Sequence, residues 1–235
     1  MSTMLGGPRE DLFGIVLDFA NKLNNGTILP SQAKRFLRKE DPWVNPMDTH
    51  SQLERACALY RQAFGIIINP LFVEIPKCQV GRSRLIVVPQ GLTMNHVIVF
   101  FRTQFTVSLY ADDLDRAVTK NDRTNGKTYA IWVQDVVEAD EELKGLSAND
   151  LAEKKIPGIT LLERLLHEVL YFSETNKHLD IENSTLCAGS RRSDGFVPAV
   201  GWNEDDHELC VGWGYPGDRS ENGRTRAVVS LSDAA

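Results

Sequence analysis

The stretch SRRSDGFVPAVGWNEDDHELCVGWGY, residues 190–215, is the densest run of chemically capable side chains in this sequence. Arg191 and Arg192 stand together beside Asp194, and Arg226 follows in the last segment. Guanidiniums hold carboxylates and phosphates through paired hydrogen bonds, so arginines brought to one rim would make an anion site. Trp202, Trp213 and Tyr215 offer faces on which a base, a sugar or an arginine could stack. The plain alternative is hairpin decoration. Asp194-Gly195 is a common turn pair, strand alternation turns tryptophans inward, and exposed arginines mostly solvate a surface.

Other clusters propose other chemistry. NEDDHELC brings Asp205, Asp206, His207 and Cys210 close together, and Asp206 with His207 is the weaker, metal-binding alternative. With Asp194 the same pair would supply acid–base groups for a hydrolase, the arginines stabilising developing anionic charge. His167 and His178 offer further imidazoles, and His167 reads as a helix-surface residue. Cys187 and Cys210 fall on expected strands. A nucleophilic thiol needs a base or an electropositive setting, and buried strand cysteines more often fill space. Asp112, Asp113 and Asp115 suit a first helical turn better than a magnesium site. Lys34, Arg35, Arg38 and Lys39 form a basic stripe that a DNA-associated regulator would use, although RKED neutralises its end.

The elements that must position these groups follow from periodicity. Residues 9–25, 30–40 and 50–65 read as helices, the last stopped by Gly65. Short Val-, Ile- and Phe-rich runs follow: GIIINPLFVEIP, SRLIVVP, NHVIVFFR, QFTVSLY and TYAIWVQD are expected strands. ADDLDRAV reads as a short helix capped by aspartate. Two short helices are expected before Pro157. The strongest helix spans about 160–176, with Thr160 and Glu163 in a capping-box pattern. NSTLCAG, FVPAVGW, ELCVGWGY and RTRAVVSL read as a C-terminal antiparallel meander. The sum is an α+β protein with N-terminal helices and a central antiparallel or mixed sheet, ending in the long helix and the meander. A boundary is expected near residue 65, giving a helical region 1–65 and an α+β region 66–235, or one continuous domain.

Composition bounds the function. With 42% hydrophobic and 25% charged residues among 235, the chain is globular rather than disordered. A net charge of −6 argues against coating nucleic acid, and no apolar run approaches membrane-spanning length. Without a secretory pattern, the four cysteines read as reduced thiols in a soluble, cytoplasmic protein. P-loop, dinucleotide, zincin and nucleophile-elbow motifs are absent, and no motif names a cofactor.

The segment ITLLERLLHEVLYFSETNKHLDIENSTLCAGSRRSDGFVPAVGW, with YADDLDRA and YAIWVQDVVEADEEL upstream, resembles a family of bacterial proteins of unassigned activity. The resemblance covers residues 105–230, implies a bacterial source and brings no catalytic residue. Three readings result. The first is non-catalytic binding of an anionic or aromatic small ligand, or an acidic protein partner, by Arg191, Arg192, Asp194, Trp202, Trp213 and Arg226. The second is the hydrolase, and the third the DNA-associated regulator.

Overall fold

The computed structural model describes residues 9–25, 27, 28, 33 and 48–231. Its contacts divide the chain into residues 1–47 and residues 48–235, so the boundary lies ahead of the third expected helix. In the first unit, α1 (Arg9–Asn24) leaves Ile15, Val16 and Leu17 exposed. The basic stripe at 34–39 lies outside the described residues.

The second unit opens with α2 (Thr49–Phe64), capped by Asp48, whose side chain accepts from the Ser51 amide, and stopped by Gly65 at φ 68°. Leu53, Ala56 and Tyr60 are buried in the main core. Gln52 ties the helix to β1 (Arg84–Val88): its Oε1 accepts from the Leu85 amide at 2.8 Å. That is why α2 belongs with the second unit. GIIINPLFVEIP holds only a 3-10 turn at Pro70–Phe72, with Ile67, Leu71 and Phe72 exposed, so the expected strand does not form.

NHVIVFFR is likewise not a strand but helix α3 (Met94–Arg102). A five-residue apolar run has no period of its own. Thr93 decides the matter by accepting from the His96 amide, after which Val97, Ile98 and Phe101 fall on one buried face. β2 (Thr106–Leu109), α4 (Leu114–Ala117) and β3 (Val118–Asn121) follow. β4 (Tyr129–Val133) pairs antiparallel with β1, and every β1 residue is buried. α5 (Ala148–Glu153) starts at a capping box of Ser147 and Asp150. α6 (Leu161–Thr175) starts at the expected box of Thr160 and Glu163.

The C-terminal strands are β5 (Ser184–Leu186), β6 (Ser190–Arg192), β7 (Val197–Asn203), β8 (Glu208–Gly214) and β9 (Gly223–Arg224). They do not form the expected simple meander. The five-stranded sheet has the order β2-β8-β7-β5-β9, with β2 parallel to β8 and β9 parallel to β5. β6 leaves this sheet to pair with β3, and residues 225–231 contribute bridges, Gly158 to Ala227 and Trp132 to Val229. The two strand groups are thereby joined. α6 lies across this junction with Leu161, Leu165, Leu166 and Val169 fully buried. The architecture is α+β. No described helix is long and apolar enough to cross a membrane.

Candidate functional site

α6 buries four polar side chains completely: Glu163, Arg164, His167 and Glu168. A buried ion is stable only when paired and hydrogen-bonded. Arg164 Nε donates to Asp180 Oδ2 at 2.9 Å, and its Nη1 donates to Glu168 Oε2 at 2.9 Å. Arg226 Nη2 donates to Asp180 Oδ1 at 2.5 Å and to the Val137 carbonyl at 2.6 Å, while Nη1 reaches the Val136 carbonyl. Thr185 donates to Asp180 and accepts from Arg226 Nε. Two guanidiniums thus meet two carboxylates, and the cluster ties α6, β5 and the C-terminal segment together.

Arg226 is therefore an interior strut, not part of a rim. Its guanidinium is fully buried because Asp180 and two carbonyls replace its hydration. His167, expected on the helix surface, is also interior. Neither ring nitrogen has a hydrogen-bond partner among the described residues. Burial holds its pKa well below the ordinary value, and Arg226, Arg164 and Arg84 push it the same way.

The remaining sequence candidates separate onto different parts of the molecule. Arg192 lies over the Trp213 ring at 4.9 Å and over Phe196 at 5.7 Å, and it pairs with Asp194 at 2.9 Å. Asp194 also accepts from the Phe196 amide, so the turn satisfies its own charges. Trp202 stacks on His178, ring centroids 3.3 Å apart and planes 2° apart, while His178 Nδ1 meets Glu168 Oε1 at 3.0 Å. Asp206 and His207 are exposed on the β7–β8 turn, where Asp206 accepts from Asn203 and His207 has φ 51°. No group of three or more His, Cys, Asp or Glu residues placed to hold a metal occurs among the described residues. Asp194 lies in the β6–β7 turn and Asp206 and His207 in the β7–β8 turn, at opposite ends of β7, so the expected acid–base residues are not brought together.

The thiols and the acidic run have structural surroundings. Burial raises the Cys187 thiol, and burial followed by the nearby Glu208 carboxylate raises that of Cys210, the reverse of nucleophile activation. Asp113 caps α4, and Asp115 accepts from the Met94 and Asn95 amides at the start of α3.

Arg191 is different. It lines a cavity of about 170 Å³ with Lys120 and Asp122, over an apolar floor that includes Leu151 and Ile156. Two backbone segments approach each other closely in its lining. A Cβ on Gly158 would sit 2.7 Å from Ala188 Cβ, and one on Gly189 would sit 2.6 Å from the Gly158 carbonyl oxygen. That approach brings the residues after β5 against those before α6, and α5 supplies the opposite wall.

The electrostatics of the lining are unbalanced. Arg191 Nη1 donates to the Ala188 and Ser190 carbonyls at 2.6 and 2.8 Å, and among the described residues Nε and Nη2 have no hydrogen-bond partner. Burial lowers its pKa from the usual guanidinium range, with Asp122 acting in the opposite direction through space. Every other buried or half-buried arginine among the described residues, namely Arg82, Arg84, Arg123, Arg164, Arg192, Arg224 and Arg226, has a carboxylate at ion-pair distance. Arg191 has none. Its ladder partner across the β3–β6 pair is Lys120, a second cation. Like charges directly opposite in a ladder are destabilising. Lys120 and Asp122 escaped sequence reasoning because nothing local marks β3 as the partner of β6.

Comparison with protein-family models, with curated proteins and with solved structures finds no match to this chain. The functional reading therefore rests on these residues.

Proposed function

We propose that this protein binds a small anionic molecule in the cavity between β3, β6 and α5, without catalysing its conversion. The observation that carries the reading is the pair of cations at the cavity wall. Arg191 is half-buried with no carboxylate at ion-pair distance among the described residues, and its ladder partner Lys120 lines the same cavity. An anion seated there occupies the Nε and Nη2 donors of Arg191 in a bidentate contact, with the Lys120 charge at the same wall. Leu151, Ile156 and Ala148 supply apolar surface for the rest of the ligand. The volume, about 170 Å³, lies below the roughly 300–1,000 Å³ of pockets for drug-sized molecules, so the ligand is smaller than those. Of the six residues expected to form one site, Arg191 alone belongs to this one.

Isothermal titration with a panel of short carboxylates and phosphomonoesters, at low and moderate salt, tests the reading. Charge-assisted hydrogen bonds contribute about 1.5–3 kcal/mol each, so Arg191→Gln should weaken binding by roughly ten- to a hundredfold. If no member of the panel binds, or if the variant binds as the parent does, the proposal fails.

A further inference from the structure

The same cavity carries a negative charge that a simple anion site would not want. Asp122 lines it, at the end of β3 and close enough to Arg191 to act on it electrostatically. Its backbone amide donates to the Gly189 carbonyl at 2.8 Å, which fixes the residue against the cavity edge. Its carboxylate has no hydrogen-bond or ion-pair partner among the described residues. A guanidinium and a carboxylate thus line one small space without closing on each other. Elsewhere in this protein such neighbours pair directly, as Arg219 does with Asp150 at 2.7 and 2.8 Å and Arg123 with Glu163 at 2.7 and 2.9 Å.

We infer that the ligand is a small apolar α-amino acid, held as a zwitterion between Arg191 and Asp122. This inference rests on the anion-binding reading above. The ligand carboxylate lies against Arg191, with Lys120 adding a second positive charge at that end. The ammonium group lies against Asp122. Its side chain covers Leu151, Ile156 and Ala188, none of which has a polar side-chain atom to satisfy. A phosphate dianion fits less well. It would meet the Asp122 carboxylate with like charge and leave that carboxylate unpartnered. An amine without the carboxylate fails for the opposite reason, since at neutral pH it is a cation and adds a third positive charge beside Arg191 and Lys120.

Three ligands that share one hydrocarbon skeleton separate the terms: L-leucine, its α-keto acid and isoamylamine. Each is titrated calorimetrically into the parent protein, Asp122→Asn and Arg191→Gln. Asp122 is exposed and its carboxylate holds no other element, so Asp122→Asn should fold as the parent does, which circular dichroism checks directly. Leucine should bind the parent about tenfold or more tighter than the keto acid, one charge-assisted contact being the difference. In Asp122→Asn that preference should vanish, with keto-acid affinity unchanged or higher. Arg191→Gln should lose both. Should the keto acid bind the parent as tightly as leucine and Asp122→Asn treat the two alike, the zwitterion inference is overturned while the anion site stands. Should the amine bind tightest, or none of the three bind, the zwitterion assignment falls. If phosphomonoesters and other carboxylates also fail to bind, the anion site falls with it.

Discussion

Asp180→Asn is the sharpest probe of the paired-ion interior that joins α6, β5 and the C-terminal segment. Asp180 is fully buried and accepts from Arg164 Nε, Arg226 Nη2 and Thr185 Oγ1, and two of those donors are cationic. Asparagine keeps one acceptor oxygen but removes the charge and turns an NH₂ toward a guanidinium. Two buried arginines are then left with Glu168 alone. Removing one partner of a buried ion pair costs about 3–5 kcal/mol. For a chain of this size each kcal/mol shifts the melting temperature by about 2–4 °C, so a fall of roughly 6–20 °C is expected. Urea unfolding should be followed by tryptophan fluorescence and near-ultraviolet circular dichroism, whose coincidence supports reading one free energy. The double variant Asp180→Asn/Arg226→Gln restores charge balance, leaving Arg164 with Glu168. Its loss should fall short of the sum of the single losses by about 1 kcal/mol or more. A single-variant loss below about 1 kcal/mol, with simple additivity in the double, would refute the paired-ion interior.

Three further outcomes follow from particular residues. Because His167 stays neutral in the fold while an unfolded histidine gains a proton near pH 6.5, the parent should lose about 1.4 kcal/mol per pH unit as pH falls below that value. His167→Leu should remove that slope in denaturant titrations at several pH values, and an unchanged slope counts against a buried neutral imidazole. Exposed Cys78 should react with iodoacetamide in the native protein, whereas buried Cys187, its thiol held above the ordinary range, should stay unmodified until unfolding. Peptide mass spectrometry reads the order, and equal labelling rates would contradict the burial. Gly189→Ala places a methyl 2.6 Å from the Gly158 carbonyl oxygen, a backbone atom that cannot swing aside. It should cost about 1–3 kcal/mol in thermal melts, and a neutral result would mean that the two segments do not cross so closely.

Local chemistry was the legible part of this protein. Thr160 and Glu163 announce the start of α6, and the structure adds that Glu163 also receives a bidentate contact from Arg123 and the Tyr129 hydroxyl. Gly65 ends α2, Asp113 caps α4, and the runs at β1, β2 and β4 are strands as their composition predicts. The run at 97–101 went the other way because apolar content does not choose between a period of two and a period of 3.6. A capping threonine outside the run made that choice. The aromatic and arginine residues of 190–215 were visible by type, but strand alternation and pairing sent them to three places. Arg192 and Trp213 form a turn cluster, Trp202 stacks on His178, and Arg191 faces the cavity.

By itself, then, the sequence determined the start of α6, the stop of α2, the cap of α4, the extended runs at β1, β2 and β4, and the α+β class. Those properties depend on residues within a few positions of one another, where capping hydrogen bonds and side-chain periodicity act. Only the tertiary structure decided that Arg226 is an interior ion, that β6 pairs with β3, and that Lys120 and Asp122 join Arg191 around one space. Each of those depends on which distant segments come into contact. Such contacts reflect the burial of whole surfaces and the close crossing of two glycine-bearing backbones, and no short stretch of residues encodes them alone.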